Sequence, residues 1–270
     1  MNLRACVVLL FSVALCCTGC IEQSVVIKVD EDGSAIVHLR SYAEKSSVGF
    51  GESKETTKRR LPSEAMIRAM AAEIGEGVRL KERRESTNSS GWKGFEVIFE
   101  CDDINQVDLD LNSLFQMQLE SQGSGTASSK DSPMSTHLRF KQDGKALTII
   151  NDYSRQDDVA QSETTNPFEK AEPLPTMNPL GVSIATSIVK RARVGVFVQV
   201  EGGIQSTTAK HHSGNLITLN RIDGSEMEEK TIVELLTLGQ GKPAPDRLQS
   251  LADQSTGIDW DLQREIVVTR

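Results

Sequence analysis

The chain has 270 residues and a formal net charge of −8, which disfavours binding to nucleic acid or to an anionic membrane surface. Only 4% of its residues are aromatic, so an aromatic-lined carbohydrate groove is not expected. The length is sufficient for one large domain or two small ones with a buried core.

The first predicted element is an export signal. Arg4 precedes an apolar run over residues 5–17 that is shorter than the roughly 20 residues needed to span a bilayer. The run leads into Thr18-Gly19-Cys20, which resembles the lipobox of bacterial lipoproteins, where signal peptidase II cuts before a lipid-modified cysteine. The resemblance implies a signal peptide over residues 1–19 and acylation of Cys20 by fatty chains such as palmitate. An ordinary secretory signal, which leaves Cys20 as a free thiol, is the alternative.

The lipobox resemblance also implies a location. In such lipoproteins a residue other than Asp after the modified cysteine, here Ile21, directs the protein to the outer membrane, where it faces the periplasm. Three further cysteines leave with the signal, so Cys101 is then the only thiol of the mature chain. Neither an intramolecular disulfide nor a cysteine-based zinc site is expected.

Two later segments of the chain are similar to each other. Residues 27–42, IKVDEDGSAIVHLRSY, align without gaps with residues 138–153, LRFKQDGKALTIINDY, and share the Asp-Gly pair, the following Ala and the final Tyr. Apolar residues alternate on both sides of the Asp-Gly pair, which predicts a β-hairpin in each segment. The polar stretches after both hairpins lack apolar periodicity and are expected to be loops.

Each hairpin is followed by a predicted amphipathic helix and then by a second hairpin. The helices begin near Pro62 and Pro179, and Gly75 or Gly77 ends the first one. The second hairpins span residues 78–101 and 193–222. The predicted apolar stripes are Met66, Met70 and Ile74 in the first helix, with Ile67 and Ala71 beside them, and Leu180, Ile184 and Ile188 in the second.

These elements predict an α+β fold with antiparallel sheet and helices packed on one face, built from two tandem ββαββ(α) halves. The halves are residues 20–120 and 136–270, joined by a Gly/Ser-rich flexible loop at 121–135. Alternating apolar residues over 107–119 predict short strands before that loop. An acidic helix, a short helix and a strand over residues 265–269 are predicted to end the second half.

No catalytic, cofactor-binding or metal-binding motif is recognised. Cys101 lies on the apolar face of a predicted strand without an identifiable His partner, so a buried structural role is favoured over a nucleophilic one. The histidines lack the spacing of metal ligands and are expected in loops or on the surface. They are His38, His137, His211 and His212.

Acidic and basic runs also have structural explanations. DEDGS, residues 30–34, resembles the start of a calcium loop but lacks the later ligands, so a hairpin turn is favoured. The acidic clusters DDINQVDLD and DGSEMEE could pair carboxylates for hydrolysis, although Asp103 or Ser225 as helix caps would account for them. The basic run RLKERR, residues 79–84, is interpreted as a solvated face or as partners of the neighbouring Glu-rich strand. Trp92 and Trp260 are expected to cover the core.

The modified cysteine, followed closely by a strand, an Asp-Gly-Ser turn and a second strand, resembles the start of LppM-type bacterial lipoprotein ectodomains. The valine-rich VGVFVQVEGGIQSTTA leading to GNLITLNRI is similar in style. The resemblance implies an architecture, with glycolipid binding as one option. The leading hypothesis is a lipid-anchored envelope protein that binds a protein or envelope component without catalysis. An envelope hydrolase with clustered carboxylates and a carrier of lipid tails are the alternatives.

Overall fold

The computed structural model describes residues 21–44, 61–121, 134–155, 179–238 and 245–270. The predicted signal peptide, Cys20, most of the Gly/Ser-rich loop and the polar stretches after both hairpins lie outside the described residues. Within the described ranges, every helix is too short or too polar to cross a bilayer.

Thirteen strands and five α-helices lie in the described ranges. The strands are β1 Ile21–Val29, β2 Ala35–Ala43, β3 Arg79–Thr87, β4 Lys93–Cys101, β5 Asp108–Asp110, β6 Met134–Asp143, β7 Ala146–Arg155, β8 Arg193–Val200, β9 Ser206–Thr207, β10 His212–Ser213, β11 Leu216–Asp223, β12 Ile258–Trp260 and β13 Glu265–Thr269. The helices are α1 Glu64–Ile74, α2 Leu111–Ser121, α3 Pro179–Val189, α4 Glu229–Leu238 and α5 Pro245–Gln254.

The larger sheet has eight strands in the order β10-β11-β8-β1-β2-β4-β3, with β12 also paired to β11. β1 and β8 are parallel, and the other neighbours are antiparallel. β1 and β2 form the first predicted hairpin, and Gly33 in their turn has a φ of +91°. The backbone N–H and hydroxyl of Ser34 both donate to Asp32 Oδ1, at 2.9 and 2.7 Å. The interpretation of DEDGS as a turn is therefore confirmed.

The smaller sheet has five strands in the order β5-β6-β7-β13-β9. Its centre is the second predicted hairpin, β6–β7, extended by the predicted C-terminal strand β13. The α+β class with mainly antiparallel sheets is confirmed. Strands from both predicted halves share the larger sheet, because β8 and β11 lie beside β1 to β4. The division into duplicated units at 20–120 and 136–270 stays a prediction.

The main hydrophobic core joins both sheets with α1 and α2. Alternate residues of β1, β2 and β4, such as Val25, Leu39 and Phe99, are completely buried in it. α1 begins after Ser63, whose side chain accepts from the backbone N–H of Met66, and ends at Gly75 as predicted. Ile67, Met70 and Ile74 are buried, and Met66 and Ala71 are partly buried against the core, so the predicted apolar face of this helix is confirmed.

The strands predicted beyond residue 110 were wrong, because residues 111–121 form α2. The Asp110 carboxylate accepts from the backbone N–H groups of Asn112 and Ser113, which starts a helix instead of extending β5. Leu111 and Leu114 are buried at the helical spacing of three residues. The alternation of apolar residues that suggested strands is compatible with this helix as well.

A second hydrophobic cluster lies among α3, α4, α5 and β12. The predicted stripe of α3 was wrong: Ala185 and Val189 are buried, whereas Ile184 is 49% exposed. α3 packs against α4, so the smaller side chains of the helix face the interface. Ser225 is not a helix cap either. It lies in the turn after β11 and donates to Asp223, and α4 begins only at Glu229.

Candidate functional site

The two faces of the eight-stranded sheet have different environments. One face lies on the core, whereas most residues on the other remain partly exposed, and we call this second surface the open face. Strand pairing places its members side by side in rows across the sheet. The open face consists of Glu22, Ser24, Val26, Lys28, Ile36, His38, Arg40, Tyr42, Gly94, Glu96, Ile98, Glu100, Arg193, Gly195, Phe197 and Gln199.

Glu96 is the centre of a polar network on the open face. Its Oε1 accepts hydrogen bonds from the Tyr42 hydroxyl at 2.5 Å and the Ser86 hydroxyl at 3.0 Å. Its Oε2 accepts from Arg84 Nη2 at 2.6 Å and Arg84 Nε at 3.1 Å. The Nε2 of His38 lies 3.2 Å from the same Oε2. The carboxylate is thus held by four side chains from β2 and β3, the two strands on either side of β4.

The strand register explains why these residues meet. Glu96 on β4 lies opposite Arg40 on β2 and opposite Arg84 on β3. In the adjacent row of the same face, Gly94 lies opposite Tyr42. A Cβ at Gly94 would lie 1.9 Å from the carbonyl oxygen of Ser41, so only glycine fits this close approach of the two strands. The network therefore depends on cross-strand pairing at every member.

The surroundings fix the protonation states in the network. Burial opposes ionisation of Glu96, but hydrogen bonds from Tyr42, Arg84 and Ser86 outweigh it and lower its pKa from 4.5 to about 2. Burial is the main cause that raises the pKa of Tyr42, and the hydrogen bond from its hydroxyl to the Glu96 carboxylate raises this pKa further. Burial, together with the charge of Arg40, lowers the pKa of His38. A general acid needs a pKa near the working pH, so this carboxylate is suited to holding neighbours in place rather than to proton transfer.

This network has only a weak signal in the sequence. His38 was expected in a loop or on the surface, but it lies within β2 with its side chain 16% exposed. His38, Arg84 and Glu96 occupy polar positions of β2, β3 and β4, and these polar positions were visible in the sequence. The register that brings them together is a property of the folded sheet.

The other predicted site residues have structural roles. Cys101 is buried, its thiol donates to the carbonyl of Asp103, and burial raises its pKa, so its interpretation as part of the core is confirmed. His137 lies 3.0 Å from Asp108, and His211 lies 3.8 Å from Asp259. Among the described residues, no three or more His, Cys, Asp or Glu side chains are grouped so as to hold a metal ion.

Members of the two acidic clusters pair with arginines or cap a helix. Both oxygens of Asp102 accept from Arg79 at 2.8 Å, and Asp103 caps the short 3-10 helix Ile104–Gln106. In the second cluster, Glu226 lies 2.7 Å from Arg221. The basic run on β3 faces glutamates of β4, as in the pair between Arg84 and Glu96, so its interpretation as charge partners is confirmed.

A pocket lies at the end of the large sheet where β1 begins, which we call the Ile21 end. The pocket has a volume of about 210 Å³. The Arg193 guanidinium lies 5.9 Å from the centre of the Trp92 ring. Trp92 is half-buried at this surface, whereas Trp260 packs on the second cluster and donates to Asn220 at 2.9 Å. The pocket is lined by Glu44, Trp92, Lys190, Arg191 and Arg193.

Comparisons with known proteins give little guidance. No protein-family model and no curated protein matches the chain. A solved structure, the NMR structure of the folded domain of LppM from Mycobacterium tuberculosis, aligns with 73% of this chain and 80% of that chain. The sequences are 12% identical and the TM-score is 0.31, which does not establish a common fold.

Proposed function

We propose that this protein is a lipoprotein of the bacterial cell envelope, anchored through acylated Cys20 to the outer membrane and facing the periplasm. Its folded part is a non-catalytic binding domain, and the open face is the binding surface. The anchor is supported by the Thr18-Gly19-Cys20 motif after the short apolar run.

The observation that carries the binding proposal is the composition of the open face. Partly exposed apolar side chains lie beside the charged network around Glu96, on strands whose other face is buried in the core. Val26 pairs with Phe197 across β1 and β8, and charged side chains lie beside them, as in protein-binding surfaces, where apolar side chains have a polar margin. The apolar members are Val26, Ile36, Ile98 and Phe197. A protein component of the envelope is therefore the proposed partner.

The anchor is tested by replacing the modified cysteine. We expect the wild-type protein to incorporate labelled palmitate and to sediment with membranes. Cys20→Ser is expected to lose the label and to move to the soluble fraction, because the acyl chains supply the attachment. Equal membrane attachment of Cys20→Ser, or no incorporation of palmitate by the wild type, would contradict the anchor.

The binding surface is tested by capturing envelope proteins on the purified chain. Phe197→Ala is expected to reduce capture about tenfold, as truncation of an aromatic anchor commonly does. Val267→Ala is the matched control, since Val267 is a 41% exposed apolar residue of the smaller sheet. Capture that is equal for wild type and Phe197→Ala, or absent for the wild type, would refute the open face as the binding surface.

A further inference from the structure

The anchor leaves no linker between the lipid and the folded domain. Cys20 and Ile21 are consecutive, so their Cα atoms are about 3.8 Å apart. β1 begins at Ile21, which pairs with Ala43, and the next residue, Glu22, pairs with Arg193 of β8. The acylated residue is therefore attached directly to a central strand of the larger sheet. Any surface at that end of β1 is brought to the membrane with it.

The Ile21 end has the composition of a membrane-interface surface. The turn between β3 and β4 ends at Trp92, next to Lys93 at the start of β4, and the turn between α3 and β8 contains Lys190 and Arg191. Tryptophan has an apolar ring with one polar N–H, and it is enriched where hydrocarbon meets headgroups. Lysine and arginine extend a charged group from an apolar stem and suit the same depth.

Charges at the Ile21 end alternate in sign. Arg193 lies 3.9 Å from Glu22 and 3.5 Å from Asp223, and Arg191 lies 3.7 Å from Glu44. A zwitterionic lipid headgroup carries a phosphate and an ammonium group close together, so this surface offers partners to both. A net charge of −8 disfavours an anionic surface and leaves contact with zwitterionic headgroups unopposed.

We propose that the Ile21 end lies against the zwitterionic headgroups of the membrane that carries the anchor, with Trp92 in the headgroup layer. This inference rests on the proposed acylation of Cys20. β1 has nine residues, so the β1–β2 turn lies about 26 Å from the Ile21 end along the strand. The sheet then stands upright on the membrane and its open face points sideways into the periplasm.

The test uses the acylated mature protein in phosphatidylethanolamine-containing vesicles with a nitroxide quencher on some of the headgroups. Three single-tryptophan proteins are compared. Trp260→Phe keeps Trp92, and Trp92→Phe keeps Trp260. The third protein combines Trp92→Phe and Trp260→Phe with Glu31→Trp, so its single tryptophan lies in the exposed β1–β2 turn. We expect Trp92 to lose roughly half of its emission, and the tryptophan at position 31 to lose less than roughly a tenth.

The failure of the orientation and the failure of the anchor have different signatures. If the protein incorporates palmitate and stays with the vesicles, but Trp92 is quenched no more than the tryptophan at position 31, the orientation is wrong and the anchor stands. If no palmitate enters the protein, the anchor itself has failed. A blue shift of Trp92 emission with vesicles, absent with inorganic phosphate alone, would identify the membrane as the occupant.

Discussion

Replacing Glu96 by Gln is expected to lower the free energy of unfolding by about 2 to 3 kcal/mol at neutral pH. The carboxylate is 8% exposed and accepts hydrogen bonds from Tyr42, Ser86 and Arg84. Glutamine keeps the shape but removes the charge that pairs with Arg84, and it places an N–H₂ group among donors. The Arg84 side chain is 51% exposed, so solvent screens part of its attraction to Glu96. We therefore expect the loss of unfolding free energy to be nearer about 2 than about 3 kcal/mol.

The same interaction gives the stability a defined pH dependence. The folded pKa of Glu96 is about 2, below its ordinary value of 4.5, so ionised Glu96 stabilises the fold at pH above 4.5. That stabilisation is lost as the pH falls from about 4.5 towards 2. Urea unfolding followed by circular dichroism should show this loss in the wild type, and the contribution should be missing in Glu96→Gln.

Glu100→Gln is the matched control for Glu96→Gln. Glu100 lies on the same strand and the same open face, but its side chain is 38% exposed and its nearest cation, Arg79, is 3.5 Å away. An exposed ion pair of this kind contributes little to stability, so we expect Glu100→Gln to change the free energy of unfolding by no more than about 0.5 kcal/mol. Equal losses in the two variants would show that the Glu96 network is no more stabilising than a surface ion pair.

The local structure was largely predictable because short-range chemistry determines it. The Asp-Gly pairs lie in the turns of both hairpins, where Gly33 and Gly144 have positive φ. Gly75 ends α1, and Cys101 belongs to the core phase of β4. Each of these features depends on residues within a few positions of one another, so the sequence pattern contained the necessary information.

The site could not be predicted because it depends on which strands become neighbours. The hairpin β1–β2 recruits β4 on one side and the distant β8 on the other. That choice brings His38 and Tyr42 to Glu96 and brings Arg193 to Trp92, whereas the pair between Arg84 and Glu96 lies within the predicted hairpin β3–β4. The wrong prediction at α2 has a different and local cause: the Asp110 carboxylate caps a helix in a stretch whose apolar alternation also fitted a strand.

Phe99→Ala is expected to be the most destabilising of these substitutions, with a loss of about 3 to 5 kcal/mol. Phe99 is fully buried in the main core, so truncation removes its burial and leaves a cavity that the packed neighbours cannot fill. The loss is expected as a lower urea midpoint, because truncating one side chain should leave the surface exposed on unfolding almost unchanged.

Phe197→Ala tests whether the open face is a surface or a second core. Phe197 lies on β8, on the face opposite to the core residues Val196 and Val198, and is only half-buried. Its truncation is expected to cost about 1 kcal/mol, since part of the ring is already in water. A loss as large as that of Phe99→Ala would mean that this ring is enclosed in the folded chain. It could then not contact a partner, and the same measurement would remove the binding surface from the proposed function.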